Sequence, residues 1–61
     1  MTWSELIRRL RSAGFVELRH GKGSHLPMAN TETGRVVIVS VHGKKEVGTG
    51  LARRILKEAG L

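Results

Sequence analysis

The sequence predicts an α+β domain of order α-β-β-β-α, in which two helices cover one face of a three-stranded antiparallel sheet. Apolar residues recur at helical spacing near each end of the chain, and three strand-like stretches separated by turn residues lie between them. A chain of 61 residues has room for one thin core, because it buries only about 60% of its unfolded surface. Residues 1–61 are therefore predicted to form a single domain.

The first helix is predicted over residues 2–13. Thr2 and Glu5 have the spacing of a capping box, in which each side chain accepts a hydrogen bond from the backbone N–H of the other residue. Gly14 follows as the residue that ends the helix in a left-handed conformation. The apolar stripe, which we expect to be core, consists of Trp3, Leu6, Ile7, Leu10 and Ala13.

Three strands are predicted, over residues 15–20, 24–30 and 35–41. The third is the clearest, because it contains four consecutive β-branched residues. A hairpin loop at residues 31–34 joins it to the second strand. Pro27 cannot donate to a ladder, and it therefore indicates an edge position or a bulge for the second strand.

The second helix is predicted from about residue 49 to residue 59, after a loop rich in glycine and lysine. Thr49 is a candidate for its N-cap. Gly60 ends the helix, and Leu61 is expected to fold back as a hydrophobic contact. The apolar stripe consists of Leu51, Ala52, Ile55, Leu56 and Ala59.

The chain is strongly basic, with 11 Lys and Arg against five Asp and Glu and a net charge of +6. Such a balance in a small domain indicates a polyanionic partner, most simply nucleic acid. A basic helix that lies on a membrane surface has a large face of bulky apolar residues. Here the positive charge is instead spread over both ends of the chain and the turns, so no membrane partner is expected.

The sequence contains no cysteine, which excludes disulfides, thiolate zinc sites and a cysteine nucleophile. No secretion signal opens it, and no apolar run approaches the roughly 20 residues of a membrane span. We therefore expect a cytoplasmic protein.

The predicted strands bring the three histidines to one end of the sheet. Pairing the second and third strands across their hairpin loop places His25 near Ser40, and His42 just beyond the end of the third strand. A tight first hairpin puts His20 near His25. Three lysines are expected at the same end, and they are Lys22, Lys44 and Lys45.

The register of this pairing decides which sheet face is exposed, because a shift of one residue moves every side chain to the opposite face. Four apolar residues depend on this choice. If they lie on the face away from the helices, they form an exposed apolar strip that marks a partner site. They are Leu26, Met28, Val37 and Val39.

The segment from Gly21 to His25 carries the strongest chemical signal, a histidine after a lysine-bearing turn hinged by glycine. An imidazole, with an unperturbed pKa of about 6.5, gives or takes a proton near neutral pH. An imidazole beside cationic side chains that bind phosphate provides the groups that RNA cleavage without a metal requires. A base takes the proton of the ribose 2′-hydroxyl, the oxygen attacks the adjacent phosphate, and an acid protonates the leaving 5′-oxygen.

His25 is accordingly the candidate general acid or base. Lys22 and Ser24 are candidates for holding phosphate, and either His20 or His42 is a candidate second proton-transfer group. Lys44 and Lys45 are further candidate phosphate anchors.

Other interpretations of these residues stay open. A surface histidine is most often simply solvated, and a lysine in a glycine-rich loop is usually only solubilising. The domain could equally bind RNA without cleaving it, with His25 as a contact, or it could dock an acidic protein. A zinc site is not expected, because no cysteine or close carboxylate completes a tetrahedral set. The spacing of a P-loop is missing as well, so no metal and no cofactor is predicted.

Four stretches of the chain are specific when they are taken together. The first is Gly23-Ser24-His25, which follows the Gly21-Lys22 turn. The second is Ser4-Glu5-Leu6-Ile7 leading to Gly14-Phe15, and the third is His42-Gly43-Lys44-Lys45-Glu46. The fourth is Gly48-Thr49-Gly50 leading into Ile55-Leu56-Lys57-Glu58-Ala59-Gly60-Leu61. In these stretches, and over nearly its whole length, the sequence resembles the HicA toxins of bacterial HicA–HicB toxin–antitoxin systems.

The resemblance implies a fold like that of double-stranded-RNA-binding domains and activity as an mRNA interferase, an endoribonuclease that halts growth by degrading transcripts. The histidine of Gly-Ser-His is catalytic in that family, and it corresponds to His25. The implied partners are mRNA and a HicB-type antitoxin, which binds the toxin and covers its active site. The pair usually represses its own operon through the DNA-binding part of the antitoxin, so contact with DNA is expected to be indirect.

Overall fold

A computed structural model of the chain describes residues 1–18 and 23–61. The predicted order α-β-β-β-α is confirmed, and the strands lie in the sheet in chain order with both neighbouring pairs antiparallel. The principal extents of 29, 24 and 16 Å match one sheet packed against one layer of helices. The elements are α1 (Trp3–Ser12), β1 (Phe15–Glu17), β2 (His25–Asn30), β3 (Val36–Ser40) and α2 (Thr49–Glu58).

The capping box predicted for α1 is confirmed. The N–H of Glu5 donates to Thr2 Oγ1 at 3.2 Å, and the N–H of Thr2 donates to Glu5 Oε1 at 3.0 Å. The hydrogen bond that the Thr2 backbone N–H donates to the Glu5 carboxylate favours the charged form, and it is the main cause that lowers the pKa of this carboxyl. At the other end of α1, Gly14 has a φ of 102°, a conformation that glycine adopts without a Cβ penalty.

The position predicted for Pro27 is wrong, because β2 is the central strand and Pro27 lies within it. Its carbonyl oxygen accepts a hydrogen bond from the N–H of Leu18 at 2.9 Å. The N–H and C=O of one strand residue point to the same side, so the donor that proline lacks faces β1. Since β1 ends at Glu17, the missing bond falls where that ladder ends, and β3 still pairs with Pro27 through Ile38.

The N-cap predicted for α2 is also wrong. Gly48 is the N-cap, no side chain caps this end, and Thr49 is the first helical residue. The C-terminal end of α2 follows the prediction more closely. The N–H of Gly60 donates to the Lys57 carbonyl at 3.0 Å, and the N–H of Leu61 donates to the Leu56 carbonyl at 2.8 Å. These two bonds form a Schellman motif. The side chain of Leu61 itself is exposed.

The core lies between the sheet and both helices. Trp3 is 8% exposed, which confirms that it is a core residue. The core residues of the sheet alternate along β2 and β3 and face the helices, so the alternative in which they form an exposed strip is wrong. They are Leu26, Met28, Val37 and Val39, all at most 3% exposed.

The opposite face of the sheet carries a different apolar set. Val16, Leu18, Val36 and Ile38 are between 43% and 62% exposed, and we call this surface the open face. It results from the same alternation of side chains that buries the neighbouring strand residues. An exposed apolar face therefore exists, but its residues are not the four that were considered from the sequence.

Asn30 is the buried polar residue among the described residues. Its Nδ2 donates to the carbonyl of Ala13 at 3.2 Å, and its Oδ1 accepts from the N–H groups of Glu32 at 2.9 Å and Thr33 at 3.3 Å. One side chain thus fastens the hairpin between β2 and β3 to the end of α1. This fixes the pairing register that places the functional residues.

Candidate active site

His25 is the first residue of β2 and lies opposite Ser40 of β3, which confirms the predicted register. Its side chain is exposed, while Leu26 next to it is buried against the helices. Because successive strand residues point to opposite faces, the imidazole lies on the side of the open face. The described part of the preceding turn contains Gly23, whose φ of 66° is the left-handed conformation that favours glycine.

Ser24 is half-buried, and its carbonyl oxygen accepts a hydrogen bond from the N–H of Val41 at 2.8 Å. This bond extends the pairing of β2 and β3 beyond the end of the strands. It holds the residue before His25 against the beginning of the next loop. Of the predicted site residues, Lys22 and His20 lie outside the described part of the chain.

The loop that bears Lys44 and Lys45 is fastened to the first turn of α1. The N–H of Trp3 donates to the Lys45 carbonyl at 3.0 Å, and the N–H of Ser4 donates to the Gly43 carbonyl at 3.0 Å. The first N–H groups of a helix have no partner within the helix, so the loop supplies acceptors that α1 needs. Both lysine side chains are exposed and therefore stand on an anchored backbone.

A second set of bonds fixes the far end of this loop. The N-terminal ammonium group of Met1 lies 3.0 Å from Glu46 Oε2, and the carbonyl of Met1 accepts from the N–H of Val47 at 2.8 Å. Val47 is itself buried in the core. The attachment of this loop to Met1 could not be predicted from the sequence, because it depends on a contact between residues far apart in the chain.

His42 lies at the same end of the sheet as His25, since it follows the end of β3. Its ring is in edge contact with Trp3, with 6.3 Å between the ring centroids and an angle of 62° between the planes. The imidazole of His42 is thus placed by the indole at the N-terminal end of α1. The structure brings His42 to the predicted neighbourhood, and it shows a packing contact there that spacing alone did not indicate.

A cavity of about 350 Å³ lies at this end of the sheet on the helix-covered side. It could not be predicted from the sequence, because its residues come from α1 and from the ends of all three strands. One of its contacts is the ion pair between Arg11 of α1 and Glu17 of β1. The lining consists of Ser4, Ile7, Arg8, Arg11, Glu17, Leu26 and Val41.

Within residues 1–18 and 23–61, no three His, Cys, Asp or Glu side chains lie close enough together to hold a metal ion. No helix in the same ranges is long and apolar enough to cross a membrane.

These features define a class, the small basic α+β domain with a fold like that of double-stranded-RNA-binding domains and an exposed histidine at the start of the central strand. The family model described as the HicA toxin of bacterial toxin–antitoxin systems matches residues 3–61. The chain is also 41% identical to a probable mRNA interferase HicA of Pseudomonas fluorescens (strain Pf0-1), over 100% of this chain and 97% of the relative. No solved structure matches the chain significantly. The chain belongs to the HicA toxin family.

Proposed function

We propose that this toxin is an endoribonuclease that cleaves mRNA with His25 as general acid or base and without a metal ion. The observation that carries the proposal is the position of His25, an exposed imidazole at the end of the sheet where the lysine-bearing loop also begins. An exposed histidine on an ordered strand reaches a bound phosphodiester without a conformational change. The name of the Pseudomonas fluorescens relative, a probable mRNA interferase, supports the same activity.

The chemistry is a transfer within the RNA strand. A base takes the proton of the ribose 2′-hydroxyl, the 2′-oxygen forms a bond to the adjacent phosphorus, and the bond from phosphorus to the 5′-oxygen breaks. An acid then protonates the leaving 5′-oxygen. His25 supplies one of these two proton transfers. DNA has no 2′-hydroxyl, so this route cleaves RNA alone.

The phosphate is held by cationic and polar groups around His25. Lys44 and Lys45 stabilise the negative charge that develops on the phosphate oxygens. Their backbone is tied to α1, which limits the reorganisation needed when substrate binds. Ser24 and Lys22 complete the proposed phosphate contacts, since they lie one and three residues before His25 in the sequence.

We propose in addition that a HicB-type antitoxin neutralises the toxin by seating on the open face. The four exposed aliphatic side chains of that face form an apolar patch without a cation on the described strands, which suits a protein surface better than a polyanion. His25 lies on the same side of the sheet, so a protein seated there also covers the imidazole. The net charge of +6 favours an acidic antitoxin, and contact with DNA passes through the antitoxin.

Growth arrest and RNA binding together test the catalytic role of His25. Expression of the His25→Ala variant is expected to leave cells growing, while the purified variant still binds RNA. Thr31→Ala is the control, because it shortens an exposed side chain in the hairpin loop at the opposite end of the sheet, and it is expected to arrest growth as the wild type does. Growth arrest by His25→Ala overturns the assignment. A chain that binds RNA but never cleaves it is an RNA-binding module, and that result overturns the enzymatic proposal.

A further inference from the structure

The cavity at the end of the sheet has no part in the chemistry proposed above. Leu26 and Val41 form the strand side of its lining, and Ile7 of α1 faces them. Leu26 directly follows His25, and the N–H of Val41 donates to the carbonyl of Ser24 at 2.8 Å. The backbone that carries the proposed catalytic histidine is therefore also a wall of the cavity.

The lining combines an apolar floor with a charged rim. Arg8 and Arg11 are three residues apart on α1, so they lie on one face of the helix about one turn apart. Arg11 forms an ion pair with Glu17, and the two side chains are 59% and 36% exposed. A guanidinium donor and a carboxylate acceptor thus stand side by side at the mouth, still accessible from solvent.

We propose that this cavity binds a single unpaired base of the RNA substrate, from a nucleotide near the one at His25, whose imidazole lies on the other side of the same end of the sheet. The inference rests on the proposed function. The aliphatic floor contacts the ring face of the base, and the pair of Arg11 and Glu17 meets its Watson–Crick edge, where every base presents donors beside acceptors. Arg8 binds the phosphate of the same nucleotide or its neighbour.

The composition of the cavity favours a base over other ligands. A site for phosphate alone needs no apolar floor, and the carboxylate of Glu17 repels an anion. The volume of about 350 Å³ lies at the small end of the range for ligand sites, roughly 300 to 1,000 Å³. The space therefore suits one planar ring that carries polar edges.

An abasic scan tests this proposal. Short single-stranded oligoribonucleotides, each lacking the base at one position, are bound to the intact chain carrying His25→Ala so that no cleavage occurs. Loss of the base that enters the cavity is expected to weaken binding about tenfold, and loss of the others much less. The Arg11→Gln and Glu17→Gln variants change the pair that meets the base, and they are expected to remove this dependence on position.

Arg9→Gln is the matched control, because Arg9 is an exposed arginine of α1 that does not line the cavity. It removes the same charge as Arg11→Gln, and we expect it to weaken binding about equally at every position while the dependence on one base persists. A flat scan, or equal effects of Arg11→Gln and Arg9→Gln, overturns the proposal for the cavity even when the wild type cleaves RNA. Absence of both RNA binding and cleavage overturns the proposed function with it.

Discussion

Ser24 and Val41 are joined by a backbone hydrogen bond of 2.8 Å between the serine carbonyl and the valine N–H. This bond connects the segment that ends in His25 with the loop that begins at His42. The bond therefore holds together, at one end of the sheet, two segments that carry separate sequence motifs. Because the bond lies in the backbone, the side chains around it remain available for substrate.

The loop lysines are predicted to supply electrostatic binding energy. Lys44→Ala and Lys45→Ala are each expected to weaken binding of single-stranded RNA and to lower the slope of log K against log salt concentration by about 0.7. Binding titrations at several salt concentrations measure the slope. Lys57→Ala removes the same charge from an exposed position near the end of α2, and an equal effect there would show that the loop has no particular role.

Asn30 is predicted to be the most sensitive polar position of the described residues. Asn30→Ala leaves the Ala13 carbonyl and the N–H of Glu32 without their partner, which is expected to cost about 1–3 kcal/mol in the free energy of unfolding. Urea unfolding measures the change. Thr31→Ala, at the next and exposed position, is expected to change this free energy by no more than about 0.5 kcal/mol, and an equal loss there would contradict the role given to Asn30.

The open face is predicted to affect partner binding and not folding. Ile38 is 62% exposed, so Ile38→Asp is expected to change the free energy of unfolding by no more than about 0.5 kcal/mol. Binding of a HicB-type antitoxin is expected to weaken at least about tenfold, because a charge is placed within an apolar contact. Calorimetry measures the affinity. Thr31→Asp adds the same charge in the exposed hairpin loop, and a comparable loss there would argue against docking on this face.

The capping box makes the stability of α1 dependent on pH. The pKa of Glu5 is lower in the folded chain than its ordinary value of 4.5, so the carboxylate contributes stability above that value and loses it as the pH falls through the lowered pKa. The difference in Tm between wild type and Glu5→Gln is expected to shrink as the pH is lowered through this range. Glu32→Gln, in the hairpin loop, is the control, and a Glu5 difference that stays constant with pH would contradict the coupling.

The element order and the register of β2 with β3 could be predicted, because side-chain alternation and a short hairpin loop constrain them strongly. The ends of α1 could also be predicted, because they depend on local residues. Thr2 and Glu5 form the capping box, and Gly14 ends the helix. The prediction for Pro27 was wrong, because the rule that confines proline to edge strands counts only the neighbouring strands. It does not consider on which side of the residue the neighbouring strand has already ended. A central strand accepts proline where the adjacent ladder stops.

The site could be predicted only in part. His25, Lys44 and Lys45 are close to one end of the sheet for reasons that the register makes visible. The cavity depends instead on the pairing of Arg11 with Glu17 and on the packing of α1 against β1 and β3, which spacing does not reveal. The contact between His42 and Trp3 could not be predicted from spacing either, because it joins a loop to a helix through tertiary packing.

The rate of RNA cleavage with and without His25 tests the central claim most directly. A defined oligoribonucleotide is cleaved under single-turnover conditions in the presence of EDTA by the wild type and by His25→Ala. We expect wild-type cleavage to persist in EDTA and the variant to be slower by at least about 100-fold, the usual loss when a general acid or base is removed, with RNA affinity nearly unchanged. A His25→Ala rate close to that of the wild type would contradict the account.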